Sequence, residues 1–148
     1  MSQEITGGCQ CGAVRYALSR VPDTEFCHCR MCQRAVGNVF AALSMVAKDE
    51  LRWTRGEPAF YASSNVAKRG FCRDCGTPLT FAFDDRPRIE VTTGSLDDPE
   101  IAPVQEHFGV ESRLSWLHVN EDLPQHRTED SADSPANTPE FVAQQGGV

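Results

Sequence analysis

Cys27, Cys29 and Cys32 place three thiols within six residues, in the order Cys27-His28-Cys29-Arg30-Met31-Cys32. Ionised sulfur is a soft ligand that suits zinc, which takes sulfur and imidazole donors at the corners of a tetrahedron. A C-x-C-x-x-C run can bring three sulfurs to one ion unaided. Three protein ligands leave one corner open, the arrangement that separates catalytic from structural zinc. The other four cysteines form two pairs, Cys9/Cys11 and Cys72/Cys75, on either side of this stretch. Three plus four predicts one open site and one closed site, and so two Zn²⁺ per chain.

Each pair has a competing account. In Gly7-Gly8-Cys9-Gln10-Cys11-Gly12, cysteines two apart on an extended strand sit too far apart for one ion, and glycine lets the strand bend until the sulfurs converge. The alternative is a bulged hairpin with two buried, unligated cysteines. Cys72-Arg73-Asp74-Cys75-Gly76 reads as a zinc knuckle, in which backbone N–H groups turn toward the sulfurs. A thioredoxin-like redox pair would instead open a helix in a βαβ unit. Here Thr77-Pro78 and a strand follow. Spacing alone leaves open whether Cys72/Cys75 joins Cys27/Cys29 or Cys9/Cys11.

The totals bound the rest. A chain of 148 residues supports one domain with a modest core. It has no apolar run long enough to span a membrane and no basic-then-apolar start, so a cytoplasmic, thiol-reducing setting is expected. Seven cysteines, an odd number, argue for metal ligation over a closed disulfide framework. The formal charge is −7. An acidic body without a basic stripe is a poor nucleic-acid binder.

Short alternating stretches must position the thiols. Val14, Tyr16 and Leu18 share one face of a strand; residues 39–46, Leu51/Trp53, Phe60-Tyr61, Leu79 to Phe83 and Arg88 to Thr93 read as further strands between turn clusters. Cys32 to Val36 forms one helical turn stopped at Gly37-Asn38. His107-Phe108 and Trp116 to Val119 are expected as the final strands. The pattern predicts a mostly β, antiparallel domain over residues 1–124. Residues 125–148, rich in Pro, Asp, Ser, Thr, Gln and Gly, are expected to form a disordered acidic and polar tail.

Taken together, Gly7 to Gly12, Cys27 to Cys32, Arg69 to Leu79, Gly94-Ser95-Leu96-Asp97-Asp98-Pro99 and His107 through Trp116 resemble the glutathione-dependent formaldehyde-activating enzyme family, shared with centromere protein V. The match covers about residues 5–124 with all seven cysteines in register. The resemblance implies an Mss4-like fold of twisted antiparallel sheets built around a structural zinc. It assigns Cys9, Cys11, Cys72 and Cys75 to that zinc and Cys27, Cys29 and Cys32 to a catalytic one. It also implies a carbon–sulfur lyase that joins glutathione, or a similar thiol, to formaldehyde or another small aldehyde.

Other side chains invite roles. His28 lies between ligands and is expected to face solvent or back the site; His107 is expected to be a packed, hydrogen-bonded core histidine. Arg30, Arg34, Lys68, Arg69 and Arg73 flank the cysteine motifs and are candidates for binding the carboxylates of an anionic thiol, or simply exposed charges. Gly94 to Asp97 reads as a turn whose Ser95 and Asp97 satisfy backbone donors. Two other classes compete with the thiol–aldehyde enzyme: a non-catalytic zinc module acting through protein contacts, and a methionine sulfoxide reductase. The latter needs a free, activated cysteine, whereas Cys27, Cys29 and Cys32 are bunched as for a metal.

Overall fold

Alternation of apolar and polar residues, broken every few residues by Gly, Pro and Asp, makes the short strands that dominate the regular structure of this chain. The computed structural model describes residues 3–131. Ile5–Gly8 (β1), Arg15–Leu18 (β2) and Leu51–Arg55 (β5) form a three-stranded antiparallel sheet in the order β1-β2-β5. The larger sheet contains Asp23–Cys27 (β3), Ala41–Ala47 (β4), Ala59–Ala62 (β6), Ala67–Phe71 (β7), Pro78–Phe83 (β8), Arg88–Thr92 (β9), Val104–Phe108 (β10) and Gln125–His126 (β11). Its eight strands run in the order β11-β10-β3-β4-β9-β8-β7-β6. A single α-helix among the described residues, Arg30–Val36 (α1), follows β3. The expected helical turn is therefore present and begins earlier, at Arg30, ending at Gly37 in the left-handed conformation.

The mostly β reading holds, with twisted sheets, but two expectations about the last strands give way. β10 runs parallel to β3 and to β11. The cause is the crossover: residues 93–103 carry the chain from the end of β9 past β4 and β3 to the far side of the sheet before β10 begins. Trp116 to Val119 forms no strand. Trp116 is 65% exposed, and the apolar letters there belong to a turn-rich loop. The expected tail also starts differently, because Gln125 and His126 add β11 to the sheet edge. Residues 132–148, including Phe141 and Val142, lie outside the described residues.

The two faces of the large sheet have different work. One packs against the small sheet, where Val14, Tyr16, Leu18, Val46, Leu79, Val91 and Leu96 form the main core. A buried polar row crosses that face, with Thr24 bonded to Ser44 at 2.8 Å and Ser44 to Thr93 at 2.8 Å, so its hydroxyls satisfy one another. The other face carries Met45, Glu90, Phe81 and Arg69 as neighbours across β4, β9, β8 and β7. One extra residue makes this division possible on β8. Gly70 pairs with Thr80 and Phe71 with Pro78, leaving Leu79 unpaired as a bulge. Leu79 drops fully into the core, while Phe81 faces the open side.

A bidentate pair locks the small sheet to the loop after β9. Arg15 donates to both oxygens of Asp97, the Nη1 bond measuring 2.9 Å, and Thr6 Oγ1 donates to Asp97 Oδ2 at 2.6 Å. Asp97 thus collects side-chain donors, not the backbone donors expected of it; Ser95 Oγ similarly meets Tyr16 Oη at 2.7 Å. The bonds from Arg15 and Thr6 hold the Asp97 carboxyl down at about 2, below an ordinary 3.8. A depressed carboxyl stabilises the fold above its unfolded value and loses that contribution as pH falls through the folded one. The stability gap between wild type and Asp97→Asn, measured by urea denaturation, is therefore expected to be full at pH 5 and to close between about pH 4 and pH 2. Salt should narrow it, since the pair is partly exposed. A gap unchanged from pH 5 to pH 2 would contradict this account.

Candidate metal centres and the adjoining cleft

Four thiols meet at two turns, each closed by a glycine N–H bonded back to a cysteine carbonyl. Cys9 and Cys11 lie in the turn after β1, Cys72 and Cys75 in the turn after β7. In the second, Gly76 N–H donates to Cys72 O at 2.8 Å, and Gly76 takes φ 80°, which a side chain resists. Gly12, with φ 81° and an N–H donated to Cys9 O at 3.1 Å, does the same in the first turn. The turns are tied directly, Gln10 N–H donating to Thr77 Oγ1 at 3.0 Å. Cys9 Sγ accepts the Val14 N–H at 3.3 Å. The Thr77 hydroxyl and backbone N–H hold the Cys75 thiol down at about 5.

Three thiols meet at the end of β3. Cys27 closes the strand, and Cys29 caps α1, its sulfur accepting the Cys32 N–H at 3.3 Å. Sulfur here takes the part of a serine or aspartate N-cap. Cys27 donates to Cys29 Sγ at 3.5 Å. Bonds from Cys27 and Cys32 push the Cys29 thiol down to about 3, and the same bond from the donor's side pushes Cys27 up.

Both groups fit a tetrahedral thiolate metal. A Zn–S bond of about 2.3 Å at tetrahedral angles needs sulfurs about 3.8 Å apart. The sulfurs are 3.6 Å apart for Cys9 and Cys11, 3.8 Å for Cys11 and Cys72, and 3.5 Å for Cys27 and Cys29. Within each group all ligand atoms lie within 4.8 Å of one another, and all seven cysteines are free thiols. The two clusters could hold metal ions, and their sulfur-only donor sets are consistent with zinc. Cys72/Cys75 converges with Cys9/Cys11, which resolves the pairing left open by spacing.

A network behind the three-thiol loop fixes it from the interior. His28 is fully buried, so of the two expectations solvent exposure falls and a place behind the cysteine loop is what it has. Its backbone N–H donates to Phe108 O at 2.8 Å. His107 Nε2 sits 2.9 Å from Asn120 O, which can only accept, so the proton is on Nε2 and His107 Nδ1 accepts from His28 Nε2 at 2.8 Å. Burial, and then His107, push His28 down to about 4, so the imidazole is neutral. Gln33 joins in, donating to His28 O at 2.7 Å and Ser112 O at 3.1 Å. His107 is buried and hydrogen-bonded, as a core histidine should be, and contributes to neither thiol group.

The three thiols open on a cleft of about 550 Å³ along the free face of the large sheet. Its floor is apolar, with Leu43, Met45, Phe81 and Phe83, and β11 and the residues after it contribute a wall through His126 and Thr128. Of the five candidate basic residues, Arg30 and Arg69 line it; Lys68 instead pairs with Asp84 at 3.1 Å, and Arg34 and Arg73 are exposed. Sequence reading missed the acids. Glu25 and Glu90 share a hydrogen bond on this face; burial, then Glu106, push Glu25 up to about 7, and burial, then Glu25, push Glu90 well above the carboxylate range. The signal was available in Arg88-Ile89-Glu90-Val91, where the residue before a core valine must point to the other face.

Gly109 brings the β10 loop against this site. A Cβ there would lie 2.8 Å from Cys29 N and 3.1 Å from Cys29 Cβ, at φ 67°. Gly109→Ala is therefore expected to cost about 1–3 kcal/mol in urea denaturation. Gly94→Ala, where nothing stands within 4 Å, should change stability by less than about 0.5 kcal/mol. Equal effects would show that the loop does not press on Cys29.

Comparisons with known proteins agree with this geometry. A family model described as glutathione-dependent formaldehyde-activating enzyme matches residues 4–111. An uncharacterized lyase of Schizosaccharomyces pombe is 36% identical over 81 residues, 54% of this chain and 58% of that protein; the chain thus spans under two thirds of this relative. A putative glutathione-dependent formaldehyde-activating enzyme of Halomonas elongata is 24% identical over 127 residues, 78% of this chain and 80% of that protein. The crystal structure of a Rhodobacter sphaeroides protein, 22% identical, superposes with a TM-score of 0.51 over 81% of this chain and 98% of its own, a likeness of fold.

Proposed function

The chain belongs to the glutathione-dependent formaldehyde-activating enzyme family, and from that premise we propose a carbon–sulfur lyase that joins a small, glutathione-like thiol to a small aldehyde such as formaldehyde. In this reading Cys27, Cys29 and Cys32 hold a catalytic Zn²⁺, and Cys9, Cys11, Cys72 and Cys75 a structural one. The family description and the lyase name of the fission-yeast relative support the reaction class. The observation that carries the reading is the contrast between the groups: four thiols converge on one another, whereas three face a cleft large enough for a tripeptide thiol. Three thiols this close also suit a metal better than the single free nucleophile of a sulfoxide reductase. Reduced thiols suit a cytoplasmic setting.

The reaction is an addition without redox change. The thiol sulfur forms a bond to the carbonyl carbon, the carbonyl π pair moves to oxygen, and the thiol proton ends on that oxygen; the lyase direction reverses each transfer. A metal ion at the three cysteines supplies positive charge that favours the thiolate of an incoming thiol. The protein's own part is placement. The apolar floor of Leu43, Met45 and Phe81 lies beside the thiols, and a cleft that holds both reactants at one spot replaces a bimolecular encounter. The proton-bearing Glu25–Glu90 pair lines the same cleft, where a proton must move to the new hydroxyl.

Two measurements test this. Cys72→Ser is expected to leave an unfolded or aggregated chain, because structural zinc supplies folding free energy, while Cys29→Ser stays folded and loses one of two metal equivalents, read by circular dichroism and elemental analysis. Equal damage would reject the division. Exchange between free glutathione and its hydroxymethyl adduct, followed at catalytic protein concentration, is expected to accelerate with wild type and to fall to background with Cys29→Ala. Zinc-loaded wild type that gives no acceleration over a panel of thiols and aldehydes would favour a non-catalytic, protein-binding module.

A further inference from the structure

Three thiolates around a dication leave one net negative charge, which discourages an anionic fourth ligand. The fold answers this with Arg69. On β7 the side chain is 6% exposed. Its Nε donates to Ser63 Oγ at 2.8 Å, its Nη2 donates to Cys32 Sγ at 3.4 Å, and its guanidinium carbon lies 4.6 Å from the centre of the Phe81 ring. Burying a guanidinium is costly unless an opposite charge stands against it. A hydroxyl and a ring supply no full charge; the three-thiol group to which Cys32 belongs would, with its sulfurs ionised around a metal. Phe81 adds a favourable face for the cation.

The same contacts limit what Arg69 can do. One edge is committed to Ser63, one to Cys32, and a face to Phe81, so the group cannot swing out to clasp a substrate carboxylate. Arg30, by contrast, is exposed and reaches only Gln33 on its own helix. Lysine would not reproduce the arrangement, having no planar fork to span hydroxyl and sulfur together.

We propose that Arg69 sets the charge preference of the three-cysteine site: fixed against Cys32, it offsets the net negative charge of the metal–thiolate group and so lets that site accept an anionic ligand, such as a substrate thiolate, over a neutral one. This deepens the function proposed above and rests on it for the identity of the ligand. Arg69 is a positioning residue that acts through Cys32. It neither coordinates nor touches the aldehyde.

Cobalt(II)-loaded full-length chain provides the test, with cobalt absorption as the readout. Wild type, Arg69→Gln and Arg69→Lys are titrated with glutathione, sodium azide and imidazole. In Arg69→Gln, glutathione and azide are expected to bind at least tenfold more weakly and imidazole within threefold of wild type, with Arg69→Lys between the two for the anions. A merely structural role would shift all three ligands together, and that result, or no shift at all, overturns the proposal. Should Arg69→Gln fail to fold, Arg69→Lys decides alone: anion binding at least threefold weaker with imidazole unchanged supports it, and parallel changes overturn it. Wild type that takes azide in an Arg69-dependent way but not glutathione would leave this inference standing and refute thiol capture.

Discussion

The meeting of Cys9 and Cys11 with Cys72 and Cys75 is the constraint on which the rest of the molecule depends. It joins the turn after β1 to the turn after β7, sixty-one residues on from Cys11 to Cys72, and so pins the small sheet against the large one. Cys9 and Cys72 belong to the same buried cluster as Tyr16, Leu18 and Val91. The main core and the four-thiol group are one unit. A small domain with short strands has little apolar area with which to offset chain entropy, and a metal ion held by these four thiols in the folded chain would add its binding free energy to the stability of the fold.

The second cluster depends on the first through the sheet. β3 delivers Cys27, β4 and β10 flank β3, and the β10 loop presses Gly109 against Cys29. Behind it, the His28–His107 pair links the cysteine loop to the turn at Asn120, a non-glycine residue at φ 46°. Rigid backing and an open front go together. The side of the loop facing inward is held through His28 Nε2, the His28 backbone and Gln33, with His28 Nδ1 the buried polar atom left without a partner among the described residues, and the sulfurs are the groups that face the cleft.

Much of this was legible in the sequence because local chemistry announces itself locally. The seven cysteines, their turns and the helix stop at Gly37 are patterns within a few residues, and β5, β6, β8 and β9 follow from short apolar alternation, whereas β7, Ala67–Phe71, carries Lys68, Arg69 and Gly70 and gives no such signal. What was not legible arises from long-range register. His28 and His107 stand seventy-nine positions apart and meet because β10 runs parallel to β3, a pairing no local pattern encodes. Arg69 sits in Lys68-Arg69, a dipeptide that reads as exposed. Only the strand period, with Lys68 outward and Arg69 inward, separates a surface charge from a buried one. Trp116 shows the opposite error, an aromatic residue whose type suggests a strand and whose loop leaves it in solvent.

The bulge at Leu79 has a consequence for how this chain can vary in length. Because the side-chain period of a strand is two, one unpaired residue reverses the facing of everything beyond it. That single extra position is why Leu79 and Phe81, two apart, lie on opposite faces, and it decides which face Thr80 and Phe81 each take. A deletion or insertion of one residue between Cys75 and Phe81 would exchange them, driving an aromatic ring into the hydroxyl row and removing the face against which Arg69 rests. The segment can therefore absorb many changes of residue type and almost none of residue number.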